Sequence, residues 1–187
     1  LKTLDIPDSV TSLSEYSFYS CTSLTDVTFG TGIKEVPAHS FDTCSALERI
    51  SFSEGMQTLG EYSFARCASL KTVSLPDSLT RVGDYSFSES SLLENVSLGD
   101  NLLSIGRSAF LNTALWNSKN IYEEPIVKVD DWVVGCRRES FSEDEFFSVS
   151  ESELAGAVGI ADYAFYDVQG IMRVRIPDSV KRLGDYA

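Results

Sequence analysis

Histidine occurs once in these 187 residues, at His39, and the four cysteines, Cys21, Cys44, Cys67 and Cys136, include no closely spaced C-x2-C pair. A zinc site built on such pairs is therefore excluded. There is no glycine-rich phosphate loop, and no Ser, Cys or Lys stands in a nucleophile motif. The neighbouring carboxylates Asp130 and Asp131 are no evidence for glycosidase chemistry in a chain with 28 acidic residues. No apolar run reaches membrane-spanning length, and no signal-peptide pattern is present. Basic residues number only 15, leaving a net charge of −13, which argues against nucleic acid and against anionic membrane surfaces as partners. No cofactor is implied, and the residues make no case for an enzyme.

What is present is a period. Phenylalanine recurs at Phe18, Phe41, Phe64, Phe87 and Phe110, each 23 residues after the last. Leu1, Leu24, Leu47, Leu70, Leu93 and then Trp116 keep the same interval. Two apolar columns in step over five units identify a repeat solenoid. With the leading leucine as position 1, position 4 is Leu4, Val27, Ile50, Val73 and Val96, and position 6 is Ile6, Phe29, Phe52, Leu75 and Leu98. Polar residues alternate with these, which predicts one short strand per rung at positions 3–6, buried on one face and paired in parallel with the next rung. Apolar residues return at positions 10 and 13. Position 14 is small or Pro (Ser14, Pro37, Gly60, Gly83, Gly106) and position 17 is always Ser or Ala, as expected where a neighbouring backbone passes close. Each rung offers about six apolar side chains, worth roughly 1.5–3 kcal/mol apiece when buried. A single rung cannot cover its own face, so stability must come from stacking.

The string from Leu70 through Pro76 and Gly83 to Phe87, and the unit Leu1–Ser23 ending in Cys21-Thr22-Ser23, resemble the BspA-like, Treponema-type leucine-rich repeat. The resemblance covers residues 1–116 and resumes at residues 160–187. It implies a right-handed parallel-β leucine-rich-repeat stack in a microbial cell-surface or secreted protein, with a non-catalytic role in adhesion and host-protein binding.

The regular frame fails over residues 117–159. Ile126–Val129 and Trp132–Val134 flank Asp130-Asp131 and predict one irregular β-hairpin insert, and Phe146–Val149 reads as the strand of an irregular rung leading to Ile160. Trp132 has two readings, as a sugar or protein contact and as a hairpin ring packed on the last regular rung. The acidic residues Asp130, Asp131, Glu143, Asp144, Glu145, Glu151 and Glu153 lack the glycine and ligand alternation of a calcium loop, so they read as a solvated surface. The chain forms one solenoid domain, with no linker to divide it. Its start on position 1 and its stop at Ala187, one residue short of the next phenylalanine, make it an excerpt of a longer protein by expectation.

Cys21, Cys44 and Cys67 share position 21 with Ser90 and Thr113. Stacked rungs would hold their Cβ atoms near 4.8 Å apart, against the ~3.8 Å that a disulfide prefers, so free thiols are expected. His39 belongs to an aromatic column with Tyr16, Tyr62, Tyr85, Tyr163 and Tyr186, which makes it a repeat residue and not a general base.

The expected contact surface for a protein or glycan is the polar side of the strands. Position 3 supplies Thr3, Asp26, Arg49, Thr72, Asn95 and Arg173; position 5 supplies Asp5, Thr28, Ser51, Ser74, Ser97 and Arg175. Arg173 and Arg175 suit a carboxylate-rich or acidic-glycan partner, unless they pair with the acidic insert. The face is poor in the Tyr, Trp and Arg anchors of binding hot spots, which keeps open a second role as a structural stalk carrying a domain elsewhere.

Overall fold

The computed structural model of the chain describes residues 1–117, 125–137 and 146–187. Its regular part contains β1 (Thr3–Ile6), β2 (Asp26–Phe29), β3 (Glu35–Val36), β4 (Arg49–Ser51), β5 (Thr58–Leu59), β6 (Thr72–Ser74), β7 (Arg81–Val82), β8 (Asn95–Ser97) and β9 (Ser104–Ile105). After α1 (Ala114–Asn117) come β10 (Ile126–Val129), β11 (Trp132–Cys136), β12 (Phe147–Val149), β13 (Gly159–Ile160), β14 (Ile171–Val174) and β15 (Arg182–Leu183).

The chain is a parallel β-solenoid of about seven turns. β1, β2 and β4 pair in parallel with Thr3 opposite Asp26 and Asp26 opposite Arg49, which is the register the period requires. β6 and β8 continue the pattern, with Thr72 opposite Asn95. Leu24, Leu47, Leu70, Leu93, Phe41, Phe64, Phe87 and Phe110 are fully buried. The phenylalanine rings stack from Phe18 to Phe110 with centroids 5.1, 5.2, 5.6 and 5.6 Å apart. Each ring thus covers its neighbours above and below, which no isolated rung could provide.

One expectation needs correcting. A rung has two strands, not one. Positions 12 and 13 form a second parallel sheet in the order β3-β5-β7-β9, with Val36, Leu59, Val82 and Ile105 in one buried column. Two residues are too few to show alternation, so the apolar position 13 betrayed the column but not the strand.

The turn at positions 15–20 adds a third set of bonds between rungs. Phe18 donates its amide to Ser40 (2.9 Å), Phe41 to Ser63 (2.9 Å) and Phe64 to Ser86 (2.8 Å). Positions 16 and 20 take positive φ without glycine: Tyr16, His39, Tyr62 and Tyr85 lie between 53° and 58° apart from Tyr62 at 51°, and Thr43, Arg66 and Glu89 between 56° and 64°. These left-handed residues turn alternate amides toward the next rung, and the inter-rung bonds offset the strain.

The hairpin forms as expected, β10 antiparallel to β11 across Asp130 and Asp131. Its place was not foreseen. β11 pairs in parallel with β13, and β13 with β15, so the hairpin stands in the second-sheet column ahead of the resumed rungs. Val127, Val129, Trp132 and Val134 join the core of the regular rungs, while Ile126 and Val133 join a second cluster with Val149, Leu154 and Ile160. The hairpin is therefore a septum buried on both faces. β12 pairs with β14, so Phe147–Val149 does open an irregular rung.

Candidate functional site

The polar strand face is exposed where the alternation places it. Thr3, Arg49, Thr72, Asn95 and Arg173 at position 3, and Asp5, Thr28, Ser51, Ser74, Ser97 and Arg175 at position 5, all meet solvent; Asp26 is half-buried. These residues do not form one uninterrupted sheet. Thr3 to Ser51 lie on β1-β2-β4, Thr72 to Ser97 on β6-β8, and Arg173 on β12-β14, beside Ser148, with Arg175 just past the strand.

Charge is distributed unevenly over the three parts. The Arg49 guanidinium bonds the Asp26 carboxylate, and lies 3.4 Å from Glu48. The Thr25 hydroxyl, and after it Arg49, hold the Asp26 carboxyl below the usual carboxylate range. Asp26 is thus largely satisfied within the face. Arg173 and Arg175 have no ion pair among the described residues. The acidic run Ser142–Glu145, their alternative partner by expectation, lies outside the described residues.

Between β6 and β8 the face forms an open, shallow groove lined by Thr72, Ser74, Glu94, Asn95 and Ser97, with Leu115 as its wall. A neighbouring depression is lined by Glu48, Arg49, Lys71, Glu94 and Leu92. The wall exists because Thr113 caps α1: its hydroxyl accepts the Trp116 amide at 3.1 Å, while the Leu115 amide donates to Leu93 at 2.8 Å. Leu115 was not expected here. Its only signal was a hydroxyl three residues ahead of Trp116, at the point where the frame breaks.

Trp132 is 2% exposed and cannot serve as a surface contact. It packs in the core against Gly159, where an added Cβ would lie 2.6 Å from its ring. Trp116 covers Gly135 in the same way. His39 is likewise structural: its ring lies between Tyr16 and Tyr62, and its Nδ1 is 3.0 Å from the buried Asp42 carboxylate, which also holds Arg66. Among the described residues, no helix is long and apolar enough to cross a membrane.

Comparison with known proteins gives a consistent placement. The profile described as BspA type Leucine rich repeat region matches residues 1–117 and 138–187 in six copies. A leucine rich cell surface protein from Faecalibacterium prausnitzii is similar at 26% identity and a TM-score of 0.59; the match covers 98% of this chain and 57% of that one. The Treponema pallidum leucine rich repeat protein TpLRR shares the fold at 21% identity and a TM-score of 0.58, over 97% of this chain and 72% of its own. No curated protein gives a significant match. With the profile spanning most of its length and the rungs stacked at the repeat's period, the chain belongs to the BspA-type leucine-rich repeat family.

Proposed function

We propose that the chain is a non-catalytic recognition module of a bacterial surface or secreted protein, and that it holds a protein or glycan partner on the exposed strand face. The observation that carries this reading is the groove over Thr72, Ser74, Asn95 and Ser97 with Leu115 as its wall. Hydroxyl and amide side chains there can meet a polar ligand, and the leucine can cover its apolar side. The cell-surface description of the F. prausnitzii protein supports the location. Arg173 and Arg175 add a cationic end suited to carboxylate or sulfate groups.

The test is binding of the chain to a panel of host matrix proteins and glycans, repeated with Asn95→Ala/Ser97→Ala and with Arg173→Ala/Arg175→Ala. Loss of a confirmed partner in either double variant locates the contact; unchanged binding in both excludes the groove and the Arg173–Arg175 end of the strand face.

A stalk is the second reading, favoured by the scarcity of large anchors. The face carries mostly small hydroxyl side chains, and the one tryptophan expected near it is buried. Failure of the wild-type chain to bind any of the panel supports the stalk.

A further inference from the structure

Within the regular repeats, the strand-face ladder is interrupted between the third rung (residues 47–69) and the fourth (residues 70–92): β4 and β6 fall in separate sheets. At the neighbouring joints the position-3 amide donates to the position-2 carbonyl of the preceding rung. Asp26 bonds Lys2 at 3.3 Å, Arg49 bonds Thr25 at 3.1 Å and Asn95 bonds Lys71 at 3.2 Å. Among the described residues, Thr72 has no such bond to Glu48. Alternate residues of a parallel strand turn their peptide groups to opposite sides. Leu75 donates toward β8, to Ser97 at 2.9 Å, so the peptide groups of Thr72 and Ser74 face β4 across the gap. Thr72 is exposed and lines both depressions of the face, so water reaches the gap.

Side-chain contacts divide at the same joint. The third rung is fastened to the second: the Phe52 ring stacks on Phe29 with centroids 5.5 Å apart, and the Ser53 hydroxyl donates to the Gly30 carbonyl at 3.0 Å. The fourth rung is fastened to the fifth: β6 pairs with β8, and the Asn101 side-chain amide donates to the Asp77 carbonyl at 3.0 Å. Phe52 is followed in its column by Leu75 and Leu98, so the position-6 ring stack ends where the ladder opens. Away from the strand face the two rungs stay joined. β5 pairs with β7, Thr80 bonds Gln57 at 2.9 Å, Phe64 bonds Ser86 at 2.8 Å and the Gly55 amide bonds the Ser78 hydroxyl at 2.7 Å.

Two rungs held by two of their three sets of bonds, and open along the third, form a hinge. We propose that the strand face opens and closes between β4 and β6, turning about the second sheet and the phenylalanine turn, and that the step from Phe52 to Leu75 favours the open form. The closed form completes the ladder with bonds from Thr72 to Glu48 and from Ser74 to Ile50. Each ladder bond lost on opening is replaced by one to water, which keeps the two forms close in free energy. Glu48 and Arg49 stand on one side of the joint, Thr72 and Glu94 on the other, so the motion sets the width of the surface used in the proposed recognition. Only that consequence rests on the recognition reading; the hinge belongs to the free chain.

The test is NMR of the chain without a ligand, so its outcome is independent of whether a partner binds. The Thr72 and Ser74 amides are expected to exchange about 100-fold faster than those of Asn95 and Ser97, their equivalents at the closed joint. Arg81, bonded to Gln57 across the same two rungs, should stay protected. Relaxation dispersion on the microsecond-to-millisecond scale should appear over residues 48–52 and 71–75 and be absent from Thr58–Leu59 and Arg81–Val82. Phe52→Leu gives this joint the leucine pair that Leu75 and Leu98 supply at the closed one. It should bring Thr72 exchange to within about threefold of Asn95 and quench the dispersion. Equal protection of Thr72 and Asn95 in the wild-type chain would mean a closed ladder and overturn the proposal. Fast exchange without dispersion would mean a fixed gap, and equally fast exchange at Arg81 a joint open on every side; either result also overturns it. Undiminished dispersion in Phe52→Leu overturns the role given to the Phe52–Leu75 step.

Discussion

The Cys44 thiol donates to the backbone carbonyl of Phe18, 3.2 Å away in the preceding rung. Cys67 bonds Phe41 at 3.5 Å and Ser90 bonds Phe64 at 3.1 Å in the same manner. Position 21 is therefore a small donor that ties one rung to the phenylalanine carbonyl of the one before. This explains why Cys and Ser share the column and why the thiols do not pair: Cys21, Cys44 and Cys67 form no disulfide.

Burial pushes the Cys44 thiol up to about 12 and the Cys67 thiol well above its ordinary value. Both should resist alkylation in the native protein at about pH 8, and all four cysteines should alkylate in denaturant without reductant. The raised values also set the sign of a pH effect. In the unfolded chain these thiols ionise near pH ~8.5, so their contribution is complete below that pH and is lost as pH rises toward the folded values. Tm should fall above about pH 9, and less steeply in Cys44→Ser/Cys67→Ser, in which the serines keep the bond as Ser90 does. Parallel pH profiles for the two proteins would refute the assignment.

Phe64 stacks between Phe41 and Phe87 and stands edge-on to Phe52 at 5.7 Å. Phe64→Ala should cost about 3–5 kcal/mol, the range for truncating a large core ring. Two interfaces are damaged at once, because the ring is a partner to both neighbouring rungs. Denaturant unfolding measures the cost, and a shift of only a degree or two in Tm would contradict it.

The hydroxyls of Ser63 and Ser86 are fully buried and have no hydrogen-bond partner among the described residues. The same column turns to Ala109 and Ala164 in later rungs. Ser63→Ala and Ser86→Ala should therefore be neutral or stabilising by up to about 1 kcal/mol each, since an unsatisfied donor is removed. A loss of stability would mean that each hydroxyl holds a partner, such as an ordered water.

The period made most of the core legible. The columns through Leu47 and Phe64 follow from spacing alone, because every rung must bury the same face against the same neighbour. Features that break the usual local signals were hidden. The second strand, as at Thr58–Leu59, is too short to alternate. The left-handed turn residues include Tyr62 and Arg66, not glycine, so nothing in their type announces φ > 0. The hairpin was legible from β-favouring runs on either side of Asp130-Asp131. Its septum position depends on the register of Trp132 against Gly159, a long-range pairing with no local trace. On the strand face, alternation identified the exposed side of β6 and β8. The Leu115 wall comes from α1, where the repeat has stopped and its columns no longer guide the reading.

Position 14 offers a prediction whose sign separates two explanations of its glycines. Gly83 does not need glycine for its φ, since it is absent from the positive-φ residues. If backbone freedom were the only issue, Gly83→Ala would stabilise the fold by about 0.4–1 kcal/mol through the unfolded state. Space argues the other way. An added Cβ would lie 2.6 Å from the Gly60 carbonyl carbon and 2.7 Å from the Leu59 carbonyl oxygen, both backbone atoms of the preceding rung. The second sheet would have to open there, at an expected cost of about 1–3 kcal/mol. Ala161 is accommodated in the column, but its neighbour is the hairpin strand, to which its amide donates at Val133. Pro37 also holds the position, against the first rung, where Ser14 is exposed. Thermal unfolding of Gly83→Ala decides the matter: a lower Tm is expected, and a higher one would show that the rungs are not in close backbone contact at this column.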